Sequence, residues 1–165
     1  MKHRPPRLKR RLKLKPEQAC DPVFIRKSAL DFLARREHSE VELSRKLATR
    51  GFDADLIETT LADLVAENLL SNTRFVESFV HSRFQRGSGP QKIHAELRGR
   101  GIDDELINDS IAEYDPQWQE LISQVREKKF GASLPDNYKE RTRQMRFLQQ
   151  RGFTSEQISR VFKEE

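Results

Sequence analysis

The sequence predicts an all-α protein: three tandem three-helix repeats stacked into an elongated, curved right-handed array, preceded by a basic disordered N-terminal arm. Three observations carry this reading. First, an apolar helix-like stretch runs into Arg-Gly-apolar and resumes as another helix three times, at Arg50-Gly51-Phe52, Arg100-Gly101-Ile102 and Arg151-Gly152-Phe153, spaced by 50 and then 51 residues. Each copy keeps a leucine before the glycine (Leu47, Leu97, Leu148), an isoleucine after it (Ile57, Ile107, Ile158) and a closing apolar residue (Leu61, Ile111, Phe162). A period of this size marks one supersecondary unit copied and stacked. Second, no stretch sustains the period-two alternation of β-branched and aromatic residues that strands need. Third, glycine and proline fall at the proposed junctions.

In chain order, the expected boundaries are 1–21 for the arm, then 22–71, 72–115 and 116–165 for the repeats. The arm carries Lys2, Arg4, Arg7, Lys9, Arg10, Arg11, Lys13 and Lys15 with no acid before residue 16. Such a proline-interrupted basic segment buries too little apolar surface to fold. Each repeat opens with a helix, over roughly 23–37, 73–86 and 117–130. Pro22, Pro90 and Pro116 sit where a first helical residue would lie, a position whose N–H has no intrahelical partner. The second helix of each unit shows apolar residues four apart (Leu43 with Leu47, Ile93 with Leu97), and the glycine after its last turn suits a left-handed C′ position. Asp53, Asp103 and Thr154 then cap the third helix through side-chain oxygens. Thr154 with Gln157, and Ser39 with Glu42, fit the capping-box pattern. Three helices per unit gives nine.

A unit of about 50 residues buries little surface alone, so three units are expected to share a continuous apolar seam. Hydrophobic and charged residues each make up 35% of the chain, which suits thin helical modules with much exposed surface. No apolar run approaches the roughly 20 residues that span a bilayer. Cys20 is the only cysteine, so no internal disulfide framework exists, and the N-terminus lacks the apolar core of a secretion signal. The expectation is a soluble, cytoplasmic protein without a membrane partner.

Charge is placed unevenly. Residues 1–15 hold eight of the 31 basic residues, leaving 23 basic against 26 acidic after them. The arm is either a solvated tail or a phosphate-binding segment, of which Arg7, Lys9, Arg10, Arg11 and Lys13 are the densest part. A transit peptide fits less well, given Pro5-Pro6 and the absence of serine. Within the repeats, Arg83, Arg86, Lys92, Arg98 and Arg100 surround Gly87-Ser88-Gly89-Pro90, with Arg74 and His81 on the helix leading in. This cluster could hold phosphates, or be an ordinary solvated face. Phe75, Phe79 and Phe84 fall at helical spacing and are expected in the core. Arg50, Arg100 and Arg151 complement the negative end of a helix dipole, and their recurrence also lays out a ladder suited to a partner that itself repeats.

Signs of catalysis are weak. Gly87-Ser88-Gly89-Pro90 follows a helix and lacks the Lys-Ser/Thr of a phosphate loop. The histidines at 3, 38, 81 and 94 show no metal-ligand spacing, and Cys20 has no evident histidine partner. Neither an enzyme nor a metal or cofactor site is expected.

The run Ser82-Arg83-Phe84-Gln85-Arg86-Gly87-Ser88-Gly89-Pro90-Gln91-Lys92-Ile93-His94-Ala95-Glu96-Leu97 resembles the signature of the RecX regulatory proteins. Leu70-Ser71-Asn72-Thr73-Arg74-Phe75-Val76 is similar to that family's Leu-x-Asp-x-Arg-Phe element. Arg36-Glu37-His38-Ser39-Glu40-Val41-Glu42-Leu43 with Lys46-Leu47 resembles its first-repeat motif. The resemblance covers roughly residues 23–165. Two departures are Asn72 in place of aspartate, where an N-cap would survive the change, and a longer lead-in to the third copy from Phe130 to Arg146.

The resemblance implies a small bacterial cytoplasmic protein of three tandem three-helix units that binds the RecA recombinase filament on single-stranded DNA. It also implies a groove-bound regulator that limits filament extension and lowers strand exchange and co-protease activity, acting in recombination, DNA repair and the SOS response. A monomer is expected. The candidate partner or DNA contacts are Arg74, Arg83, Arg86, Lys92, Arg98, Arg100, Arg50, Lys46 and Arg151. Two other classes remain: a helical-repeat adaptor for another protein, and a plain nucleic-acid binder.

Overall fold

The computed structural model describes residues 16–163, and the expected arm over 1–15, with Arg7, Lys9, Arg10, Arg11 and Lys13, lies outside the described residues. Those described form ten helices and no strand. A one-turn helix, α1 (Pro16–Ala19), precedes three units: α2 (Pro22–Leu33), α3 (Glu40–Arg50) and α4 (Ala54–Ala66); α5 (Asn72–Gln85), α6 (Pro90–Arg98) and α7 (Asp104–Ala112); α8 (Asp115–Phe130), α9 (Tyr138–Gln150) and α10 (Ser155–Val161). The extra helix α1 begins at a proline and docks by its last carbonyl, Ala19 O, which accepts from Asp53 N at 3.1 Å.

The three Arg-Gly turns are one motif. Gly51, Gly101 and Gly152 have φ of 99°, 76° and 91°, the left-handed region where a Cβ is unfavourable. In each, the glycine N–H donates to the carbonyl three residues back (Ala48, Arg98, Gln149) at 2.9–3.0 Å. The next N–H reaches the leucine that recurs in each repeat: Phe52 to Leu47 O at 3.4 Å, Ile102 to Leu97 O at 3.3 Å and Phe153 to Leu148 O at 3.2 Å. These are the paired bonds of a Schellman cap, with its apolar contact supplied by the same two residues. Asp53, Asp103 and Thr154 then cap the following helices, and Thr154 with Gln157 closes a full capping box.

Four local expectations need correction. The helix α2 ends at Leu33 rather than near 37, because Arg36 turns to donate to Glu37 O and the Glu42 carboxylate while the His38 ring is buried, its Nδ1 2.9 Å from Arg36 O. Ser39 does accept from Glu42 N, but Glu42 is drawn to Arg36 instead of returning to the cap backbone. Ser71, not Asn72, caps α5, and Asn72 exchanges two hydrogen bonds with Glu40 of the first unit, at 3.0 and 2.8 Å. Pro116 is the second residue of α8, which starts at Asp115.

The continuous seam is also absent. Among the described residues, buried apolar side chains form two clusters: one within the first unit, around Leu43, Leu47 and Leu64, and one shared by the second and third units, around Val80, Ile93, Leu97, Ile122, Leu148 and Phe153. Aromatic rings explain the sharing. Phe84 at the end of α5 lies 4.7 Å from Tyr114 and 5.1 Å from Trp118, which open α8, and among the described residues no such trio links the first unit to the second.

One joint nevertheless occurs twice. The N-terminus of a unit's middle helix is seated on the Arg-Gly turn of the unit that follows. Ser39 Oγ donates to Arg100 O at 3.0 Å, and Val41 lies over Gly101. In the second joint, Gly89 N donates to Arg151 O at 2.8 Å and Gln91 N to Gly152 O at 2.9 Å, with Lys92 over Gly152. Among the described residues, the Arg-Gly turn of the first unit is seated on no other unit and is joined to α1 through Asp53 N and Ala19 O, and a Cβ at Gly51 would touch nothing within 4 Å.

Candidate functional site

The arginine of each Arg-Gly turn is stacked on a phenylalanine ring. Arg50 lies 4.2 Å from the Phe32 centroid, Arg100 4.7 Å from Phe79 and Arg151 5.3 Å from Phe147. Second cations share the rings: Lys46 over Phe32 at 5.0 Å, Arg83 over Phe79 at 4.8 Å and Lys129 over Phe147 at 5.9 Å. Each such contact is worth roughly 0.5–1 kcal/mol at exposed sites, enough to favour one orientation of a long side chain. A guanidinium placed over a ring can still offer N–H groups to a carboxylate or phosphate.

The second-unit cluster does not form a single patch. Arg83 is in ion-pair contact with Glu96 at 2.8 Å, and Arg100 donates to Glu96 O at 2.6 Å, so both converge with Phe79 on one face. Arg98 points to Asp104, with its Nε 3.8 Å from the carboxylate. Lys92 is exposed above the second joint. Arg86 faces the third unit, where its carbonyl accepts from Arg151 at 3.4 Å. Arg74 is engaged internally: it donates to Glu37 at 3.0 Å and grips Asn68 through Oδ1 and the carbonyl, clasping the first unit to the second. Phe75 is fully in the core as expected, whereas Phe79 is only half-buried and serves as the platform for two arginines.

The sequence reading missed the rings beneath the ladder and the cations of the third unit. Phe147 on α9 and Arg151, the C-cap of that helix, are four apart, a spacing that brings side chains together on a helix and could have flagged the pair. Phe32 and Phe79 come from non-equivalent positions of α2 and α5, so no periodicity points to them. In the third unit, Arg126 is almost completely buried and donates to Ala132 O at 2.7 Å, Ser133 O at 3.1 Å and Gln144 Oε1 at 3.3 Å. It thereby fixes the long lead-in to α9.

Two groups near the first joint have displaced titration. Burial pushes the His38 imidazole below its ordinary value, aided by the charges of Arg36 and Lys46, against the opposing pull of the Arg36 carbonyl and Glu42. Burial would raise the Glu42 carboxyl, but hydrogen bonding to Arg36 and the surrounding cations outweigh it and hold the group below the usual carboxylate range. Both lie where the first unit meets the second.

Among the described residues, no helix is long and apolar enough to cross a membrane. Residues 26–64, 71–111 and 115–162 match the first, second and third three-helix domains of RecX. A protein named regulatory protein RecX from Pseudomonas syringae pv. tomato is 46% identical over 140 residues, covering 85% of this chain and 90% of its own length. One of the same name from Halorhodospira halophila is 45% identical over 134 residues, covering 81% and 83%. The crystal structure of RecX from Lactobacillus salivarius superposes with a TM-score of 0.75 at 23% identity, covering 85% of this chain and 93% of that one.

Proposed function

Since the chain belongs to the RecX family of regulatory proteins, we propose that it binds the RecA recombinase filament on single-stranded DNA and limits its extension, ATPase and strand exchange. The observation that supports this most is the recurrence of one contact element, an arginine stacked on a ring beside a rigid Schellman cap, once in each unit. Elements repeated along a linked array suit a partner that itself repeats. Weak contacts joined this way gain roughly 10²–10⁴ in avidity when geometry permits them to engage together.

In this reading the protein acts by occupying a surface, in the bacterial cytoplasm and as a monomer. Arg50, Arg100 and Arg151 are pre-oriented for carboxylates of successive protomers, because stacking removes rotamer freedom that would otherwise be lost on binding. Arg86 and Lys92, free of ion pairs among the described residues, are available to the partner or to its DNA. Arg83 and Arg98 reach it only by sharing or releasing Glu96 and Asp104.

The test is RecA ATPase on single-stranded DNA with added protein. Slowing is expected well below one copy per recombinase, and Arg86→Glu with Lys92→Glu should weaken it while deletion of residues 1–15 leaves most of it. No slowing at equimolar protein would sink the reading and favour an adaptor for some other protein.

A further inference from the structure

We propose that the third unit carries a direct binding groove for single-stranded nucleic acid, running between α8 and α9 and independent of any recombinase. Two concavities, of about 440 and 1050 Å³, lie side by side with Lys129 and Phe147 lining both, and together they outline the proposed channel. The first is lined by Arg86, Lys128, Lys129 and Arg151. The second adds Lys139, Arg143 and Arg146, and its one carboxylate, Glu140, is paired with Arg143 at 3.1 Å. Lys128, Lys139 and Arg146 have no side-chain ion pair among the described residues. A repeat body with more acids than bases therefore concentrates uncompensated positive charge in one channel.

Aromatic placement selects the ligand. Phe130 and Phe147 meet edge-to-face at 5.3 Å, and cations cover them: Arg143 over Phe130 at 5.4 Å, Arg151 over Phe147 at 5.3 Å. Tyr138, in the first turn of α9, is different. It stands at the channel's edge, 85% exposed and, among the described residues, without a ring or cation partner. An exposed ring among lysines and arginines matches the stacking platform and electrostatic track that bind single strands. A duplex keeps its bases stacked on each other and cannot use the ring. An acidic peptide would use the cations but has no base to stack.

The experiment is fluorescence anisotropy of a labelled oligothymidine and a duplex of equal length with the full chain, at several salt concentrations, in the absence of recombinase. The basic arm is present in every variant, so its contribution is constant. Tyr138→Ala is expected to weaken single-strand binding roughly tenfold, given what one stacked base contributes, and to leave duplex binding unchanged, while Tyr138→Phe restores it. Lys139→Glu with Arg146→Glu should weaken binding to both and reduce the salt slope by about one or more. Melting midpoints matching the parent establish that these exposed side chains are not structural. Parent-like single-strand binding by all variants would overturn the proposal, as would equal losses on duplex from Tyr138→Ala. Polyglutamate competing as strongly as oligothymidine would overturn it in favour of an acidic protein segment. Because recombinase is absent, failure here is separate from failure of the ATPase test.

Discussion

The two joints of the array use the same parts and differ in what fills them. Between the first and second units the seat is made by side chains: the Ser39 hydroxyl on Arg100 O, Val41 over Gly101, the Glu40–Asn72 pair and the Arg74 clasp. Between the second and third it is made by backbone on backbone, Gly89 to Arg151 and Gln91 to Gly152, over a shared apolar core. Side chains can rotate away, whereas two apposed backbones within a common core cannot separate without exposing that core. The second and third units therefore form one cooperative block, and the first unit is a separately cored module attached to it by a polar hinge.

Alanine at the equivalent glycines breaks this comparison most directly. At Gly152 a Cβ would lie 2.5 Å from Lys92 N and 2.9 Å from its Cα, in addition to the positive φ. Left-handed strain costs about 1–2 kcal/mol, overpacking adds about 1–3 kcal/mol, and displacing the two joint hydrogen bonds adds about 1 kcal/mol each. Gly152→Ala is thus expected to lose about 4 kcal/mol or more in chemical denaturation. Gly89→Ala isolates the joint, because its φ is −81° and what opposes the substitution is the backbone of Gly152 and the Phe153 N, which a Cβ would meet. A Gly89→Ala protein as stable as the parent would mean that the backbone seat does not hold the block together.

At Gly101 the obstacle is Val41 Cγ2 at 2.5 Å, a side chain on a hinge that can yield. A loss of about 2–3 kcal/mol is expected for Gly101→Ala, with the first unit's amides gaining exchange before those of α5–α10. Gly51→Ala meets open space and should lose only the left-handed term, about 1 kcal/mol. Equal losses at all three glycines would show that φ alone matters and that the joints contribute nothing.

Most of the fold was legible because it rests on local chemistry that repeats. Glycine after the last turn, an aspartate or threonine cap, and apolar residues four apart each leave a mark in the sequence, and three copies reinforce one another. The joints and the site were much less legible. Nothing in the spacing says that Ser39 reaches Arg100, that Glu42 prefers Arg36 to its own cap, or that one ring lies under each arginine, since Phe32, Phe79 and Phe147 occupy non-equivalent positions in their units. The channel escaped notice for a related reason: Lys128, Lys139, Arg146 and Tyr138 are dispersed over α8 and α9 and converge only when those helices pack. Charge density along the chain pointed instead to the second unit, where the structure turns Arg83 and Arg98 toward acids.

The smallest expected effect concerns pH and sharpens the hinge. Burial holds His38 in its neutral form, with a folded pKa below the ordinary 6.5. The unfolded chain therefore takes up a proton before the folded one does, so the stabilisation is fully present above about pH 6.5 and is lost as pH falls through the window beneath it. Glu42, also depressed, loses its contribution only below the ordinary 4.5, so the two windows are distinct. Because His38 sits in the first unit beside the Ser39 seat, acidification from pH 7.5 to 5.5 should loosen that unit selectively, by about 1 kcal/mol for each unit of pKa depression. Hydrogen exchange read separately on α2–α4 and α5–α10 measures it. Protection in α3 should fall while that in α6 and α9 holds, and His38→Gln should remove the difference. A uniform loss across all three units, or the same pH response in the glutamine variant, would mean that His38 does not govern the hinge and that the first unit is bound to the others as firmly as they are to each other.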